Sequence, residues 1–178
     1  MRRIVLGSAA LVPLLLLVAC SSGGERSGMT APASSASAAT IAPAMAAAAY
    51  VAAASSIDWF EIQAAQLALQ RSRDPANRAL AQRTLSAHEG TSAQLSLAGR
   101  RLNLLPTPVL DPEHRAMLAA LKAAPDFDRT YREQQKLLHR EGVALHGGYA
   151  RRGTSPTLRP VAKNAEDVMR RNQETLRR

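Results

Sequence analysis

Glu61, His88 and His139 are the residues whose types and spacing could do chemistry. Each falls, by three-to-four periodicity, on the inner stripe of a different helix, so a bundle would bring one carboxylate and two imidazoles to a common buried level. Such a set can hold a divalent metal. A di-metal carboxylate centre asks for more, a Glu-x-x-His pair on each of two helices and further glutamates from the others. Leu85 stands three residues before His88 and Lys136 three before His139, so both pairs are broken. The competing reading, which the residues favour, is a structural polar cluster in which Glu61 accepts hydrogen bonds from the histidines, because a buried charge needs partners. His146 lies seven residues from His139, about 10 Å along a helix axis, and cannot share one ion with it. His114, beside Glu113 at the start of a short helix, reads as a solvated residue.

Catalytic patterns are missing. The chain has no phosphate-cradling glycine loop and no Gly-x-Ser-x-Gly elbow. Glu133 and Glu141, eight residues apart with basic neighbours, do not form the facing carboxylate pair that glycoside hydrolysis requires. No enzymatic activity is expected, and no cofactor beyond a divalent metal as the one candidate.

The elements that must position these side chains are all helical. Ile57, Phe60, Glu61, Ala64, Leu67 and Ala68 mark a first helix ending near Ser72. Alanine-rich sequence from Ala44 to Ala54 could extend it backward, alanine being the best helix former. Asp74-Pro75 starts a second, with aspartate as N-cap and proline at the first helical position. Its inner stripe is Ala81, Thr84, Leu85, His88, Thr91, Leu95, Ala98 and Leu102, and Asn103 with Pro106-Thr107-Pro108 ends it. Asp111-Pro112 opens a short third helix using Met117, Leu118 and Leu121. A fourth, from about Asp126 to Arg152, turns Phe127, Tyr131, Gln135, Leu138, His139, Gly142, Leu145 and Tyr149 inward, with Gly153 as a left-handed cap. Ser155-Pro156 opens the last, which buries Leu158, Val161, Ala162, Ala165, Val168, Met169 and Leu176, with Pro160 delaying its true start. The expected fold is all-α, an antiparallel four-helix bundle with a short extra crossing helix between the second and fourth long helices.

The amino end carries a different signal. Arg2 and Arg3 precede an apolar run from Ile4 to Ala19, the order of a secretory signal peptide, and the run is short for a bilayer span. Leu17-Val18-Ala19-Cys20 resembles the bacterial lipobox. That resemblance implies cleavage before Cys20 and acylation of its thiol, with Ser21 after it implying the outer membrane, periplasmic face. Several acyl chains anchor stably where one holds only marginally. Cys20 is the only cysteine, so no internal disulfide can form. From Ser21 to about Ala49 the chain is almost wholly Ala, Ser, Gly, Pro and Thr, a flexible tether with a reach of roughly 30 Å. The organisation read from sequence is a leader over 1–19, a lipidated cysteine and tether over 20–49, and a helical domain over 50–178.

The formal charge is +9, and Arg2 and Arg3 of the leader account for two of the 23 basic residues. Arg151, Arg152, Arg170, Arg171, Arg177 and Arg178 are the densest basic stretch. Export and the scarcity of aromatic stacking platforms argue against nucleic acid. Peptidoglycan, lipopolysaccharide, lipid headgroups or a periplasmic protein are the partners such a surface would meet.

Asp58-Trp59-Phe60-Glu61-Ile62 with Leu67-Ala68-Leu69, then His88, Leu105-Pro106, and Phe127-Asp128 with Tyr131, Gln134 and His139, resemble in their order the domain-of-unknown-function family 4142. The resemblance covers roughly Tyr50 to Leu176. It implies an exported protein with a ferritin-like helical bundle. The family commonly has a further histidine in its last helix, where this chain reads Met169-Arg170-Arg171-Asn172, and a Leu-Pro pair where it reads Asn164-Ala165-Glu166. The expected function is that of a noncatalytic envelope lipoprotein presenting a basic bundle to a protein partner or anionic surface. The alternative is a metal-binding or oxidative-stress-related bundle using Glu61, His88 and His139.

Overall fold

In a computed structural model, which describes residues 45–177, the chain folds into five α-helices, and there is no strand among the described residues. They are α1 (Ala47–Arg71), α2 (Pro75–Leu102), α3 (Pro112–Ala123), α4 (Phe127–Arg152) and α5 (Arg159–Arg177). None of them is long and apolar enough to cross a membrane. The leader, Cys20, most of the tether and Arg178 lie outside the described residues.

Local chemistry sets the helix ends. Asp74, Asp111 and Asp126 each accept a hydrogen bond from a backbone N–H of the first turn, from Ala76, His114 and Arg129 respectively. In this way they satisfy a donor that the helix itself leaves orphaned. Proline occupies the first turn of α2 and α3. The first helix begins at Ala47, within the alanine run, without a side-chain cap. Two expectations are corrected. Gly153 has φ −61, so it is not a left-handed cap, and its N–H closes α4 on the Tyr149 carbonyl at 2.7 Å. Ser155-Pro156 forms a turn rather than a helical start, and α5 begins at Arg159, which puts Pro160 in its first turn where a missing N–H costs nothing.

The left-handed residue is Asn103, at φ 54, after α2. It folds the chain back so that the Leu104 N–H reaches the Gly99 carbonyl at 2.9 Å, and a Cβ on Gly99 would stand 2.2 Å from the Leu104 carbonyl oxygen. Gly99→Ala must displace backbone and is expected to lose about 1 to 3 kcal/mol in urea denaturation. Gly90→Ala, with nothing within 4 Å, is expected to gain up to about 1 kcal/mol by helix propensity. Two changes of equal sign would contradict this reading.

Helix adjacency runs α1, α2, α5, α4 around the bundle, with α3 resting on α1 and α4. Glu61 meets Gln135, and Tyr50 meets Tyr149, so α4 runs antiparallel to α1. Gly142 faces Met169 and Gly147 faces Glu166, which makes α5 antiparallel to α4. A Cβ at Gly142 would come within 2.5 Å of the Met169 Cε atom, so the flexible end of that side chain would have to move to admit it. The four long helices therefore pair antiparallel with each neighbour. The segment through α3 carries the chain along the bundle, so α2 and α4 run the same way on a diagonal.

Two apolar clusters fill the interior. One gathers Ile57, Phe60, Leu80, Leu121, Tyr131 and Leu138, and the other gathers Tyr50, Val51, Leu95, Tyr149 and Leu158. In α2 and α4 the histidines lie between the residues of the two clusters, and in α1 Asp58 and Glu61 sit at the boundary. A polar layer thus crosses the middle of the bundle.

A buried carboxylate and imidazole centre

The layer is built from helix spacing. Asp58 and Glu61, three residues apart on α1, face α2 and α4, and both are buried, Glu61 completely. His88 and Thr91 repeat that spacing on α2, and Gln135 and His139 stand four apart on α4.

Asp58 Oδ1 accepts from Thr91 Oγ1 at 2.7 Å and lies 2.8 Å from His88 Nδ1. A carboxylate in that place requires the proton on Nδ1. Gln135 Nε2 donates to Glu61 Oε2 at 2.6 Å. His139 Nδ1 lies 2.7 Å from the Gln135 carbonyl oxygen, which can only accept, so Nδ1 carries the proton there too. Glu61 Oε1 is 3.4 Å from His139 Nδ1, whose proton is already engaged.

Electrostatics differ between the two rings. Burial opposes the charged form of His88, but the Asp58 hydrogen bond and the Glu61 and Asp58 charges outweigh it and hold the ring above the ordinary histidine range. Burial dominates at His139 and pushes it down, with the Glu61 charge offsetting part and His88 adding to the depression. One layer further along, Tyr50 Oη and His146 Nδ1 are 3.0 Å apart, and the Tyr50 ring stacks on Tyr149.

The structure brings Glu61, His88 and His139 together, with one ligand atom of each lying within 4.8 Å of the others. It also corrects the expected cluster. The partner of His88 is Asp58, not Glu61, and Glu61 is held chiefly by Gln135. Sequence reasoning passed over Asp58, although its position one turn before Glu61 was the available signal. His114 is corrected as well. It is buried rather than solvated, with Nδ1 at 2.6 Å from Ser56 Oγ and 3.0 Å from Asp111 Oδ2. Serine and aspartate share one ring nitrogen, so this is a tie between α3 and α1 and not a proton relay to a nucleophile.

The basic side chains lie on two helix stretches that meet at Glu166. Arg151 and Arg152 end α4, while Arg170, Arg171 and Arg177 lie on the second half of α5, whose far end is about 27 Å from its start. Arg170 donates to Glu166 from Nε and Nη2, at 3.1 and 2.7 Å, and Arg151 Nη1 comes within 3.9 Å of the same oxygen. Between α4 and α5, Lys136, Arg140, Gln173, Leu176 and Arg177 line a groove of about 330 Å³ with three cations and, among the described residues, no carboxylate in the lining.

Residues 31–178 match the model of a family described as Domain of unknown function (DUF4142). No curated protein and no solved structure matches the chain.

Proposed function

We propose that this chain, which belongs to the DUF4142 family, is a noncatalytic envelope lipoprotein that holds a basic helical bundle against an anionic surface. In this reading the leader over 1–19 is removed, Cys20 is acylated, and the tether that follows, up to the start of α1 at Ala47, spans from the outer membrane to the bundle on its periplasmic side. One long crossover among four long helices also occurs in ferritin-like bundles, which supports a bundle of that class as part of this reading.

The observation that carries it is the groove between α4 and α5. Lys136, Arg140 and Arg177 converge there with no acidic lining residue. Uncompensated charge of one sign attracts phosphate and carboxylate groups over about 8 Å at physiological salt, which is enough for a tethered module already near its target. Leu176 on the groove wall adds an apolar contact.

Fractionation of cells expressing Cys20→Ala tests both parts. The variant is expected in the membrane pellet after a low-salt wash and in the soluble fraction after a high-salt wash. Adding Lys136→Glu and Arg140→Glu is expected to release it at low salt as well. Full, salt-resistant retention of Cys20→Ala would overturn the anchor. Low-salt retention unchanged by the two charge reversals would overturn the groove.

A further inference from the structure

We infer that Glu61, His88 and His139 form a site for one divalent transition-metal ion, ligated by Glu61 Oε1 and by the Nε2 atoms of the two histidines. This goes beyond the surface reading and stands whether or not that reading holds. Its basis is which atoms the fold has used and which it has left.

Every one of the three side chains has one polar atom engaged and one free. Glu61 Oε2 is held by Gln135, His88 Nδ1 by Asp58, and His139 Nδ1 by the Gln135 carbonyl. Glu61 Oε1, His88 Nε2 and His139 Nε2 are buried and have no hydrogen-bond partner among the described residues. A buried polar atom without a partner is costly, and these three, in the same layer as the unpartnered Gln135 Oε1, call for an explanation. With Nδ1 protonated, His139 presents an in-plane lone pair on Nε2, the form that binds metal; His88 does the same when neutral. An imidazole held through its other nitrogen by a carboxylate or a backbone carbonyl is the usual outer arrangement of a metal-binding histidine. A carboxylate oriented by a side-chain amide belongs to the same pattern.

The donor set selects the ion. Two imidazole nitrogens and one carboxylate oxygen suit zinc, copper, nickel or iron, whereas calcium and magnesium prefer all-oxygen shells. Ligand bonds of about 2.0 to 2.2 Å in tetrahedral geometry put ligand atoms roughly 3.4 Å apart; one ligand-capable atom of each side chain already lies within 4.8 Å of the others, so the three rotate and draw in on binding to bring Glu61 Oε1 and the two Nε2 atoms to that spacing. Among the described residues no second group of three ligand-capable side chains accompanies this one. Leu85 and Lys136 stand where the partner glutamates of a di-metal centre would be, and Met169 and Asn172 occupy the nearby face of α5.

Cobalt(II) is a suitable probe, added to the metal-free full chain in detergent. Expected are one equivalent bound, a visible absorption of four-coordinate type, and a rise in melting temperature on loading. Glu61→Gln and His139→Gln, chosen because they keep volume and a polar group, are expected to stay helical by circular dichroism and to bind at least about 100-fold more weakly. His114→Gln, altered at the buried Ser56 contact between α3 and α1 and away from the three ligands, is expected to bind like the parent chain. Failure of the parent chain to bind one equivalent would overturn the site. Undiminished binding in folded Glu61→Gln and His139→Gln would overturn it equally, by placing the ion elsewhere.

Discussion

Lowering the pH from 7 to 4.5 is expected to cost the fold about 2 to 3 kcal/mol through His146 alone. Burial holds this ring at a pKa of about 4, against 6.5 for a free histidine. The charges that face it do not reverse this. Asp58 on α1 and Glu166 on α5 favour the proton, while His88 on α2 opposes it. The only side-chain hydrogen-bond partner of the ring among the described residues is the Tyr50 hydroxyl. The sign follows from linkage. Below pH 6.5 the unfolded chain takes up a proton that the folded chain refuses until about pH 4, so this stability is complete above 6.5 and lost through the window beneath it. Each pH unit in that window corresponds to about 1.4 kcal/mol. Urea denaturation of the parent chain and of His146→Gln, each at pH 7 and 4.5, isolates the contribution, because carboxylates elsewhere titrate in both. The variant should lose less stability on acidification by the stated amount. Parallel losses would show that His146 takes up its proton without resistance.

Asp58→Ala is expected to have the larger effect at neutral pH, about 3 to 5 kcal/mol. Asp58 is 3 % exposed and takes hydrogen bonds from both His88 and Thr91, which come from one face of α2. Removing the carboxylate leaves the buried Nδ1–H of His88, on an imidazole whose charge Asp58 supports, without an acceptor, and leaves the Thr91 hydroxyl only its longer 3.2 Å bond to the His88 carbonyl. Asp58→Asn retains an oxygen that can still accept at Oδ1, and should lose about 1 to 3 kcal/mol. The difference between Ala and Asn is the informative quantity, read from urea midpoints at a common slope. Equal destabilisation by the two would mean that the acceptor oxygen contributes nothing and that charge alone matters.

Much of the architecture was legible because it depends on local rules. Asp74-Pro75 and Asp111-Pro112 carry cap chemistry that acts over four residues, and both helices begin where it puts them. The stripes through Phe60, Leu95 and Leu138 follow from the 3.6-residue turn, and those residues are buried. Gly153 misled for an equally local reason. Glycine permits a left-handed cap but does not require one, and the Tyr149 ring packed against it leaves the chain extended there. His114 misled because its burial comes from α1. Nothing within α3 announces that Ser56 will meet it.

The sequence by itself determined that the described chain is helical, where its aspartate N-caps fall, and that a glutamate and two histidines share the inward faces of three helices. These are properties of one helix at a time, set by spacing and by the hydrogen-bonding needs of helix ends. Tertiary structure alone decided which polar atoms meet. It paired His88 with Asp58, assigned Glu61 to Gln135, set Gly142 against Met169, and left three ligand-capable atoms without partners in the same layer. The physical reason is that helical periodicity specifies the angle at which a side chain leaves its own axis. The height and rotation of the neighbouring helix, fixed by packing along the whole bundle, specify what that side chain finds there.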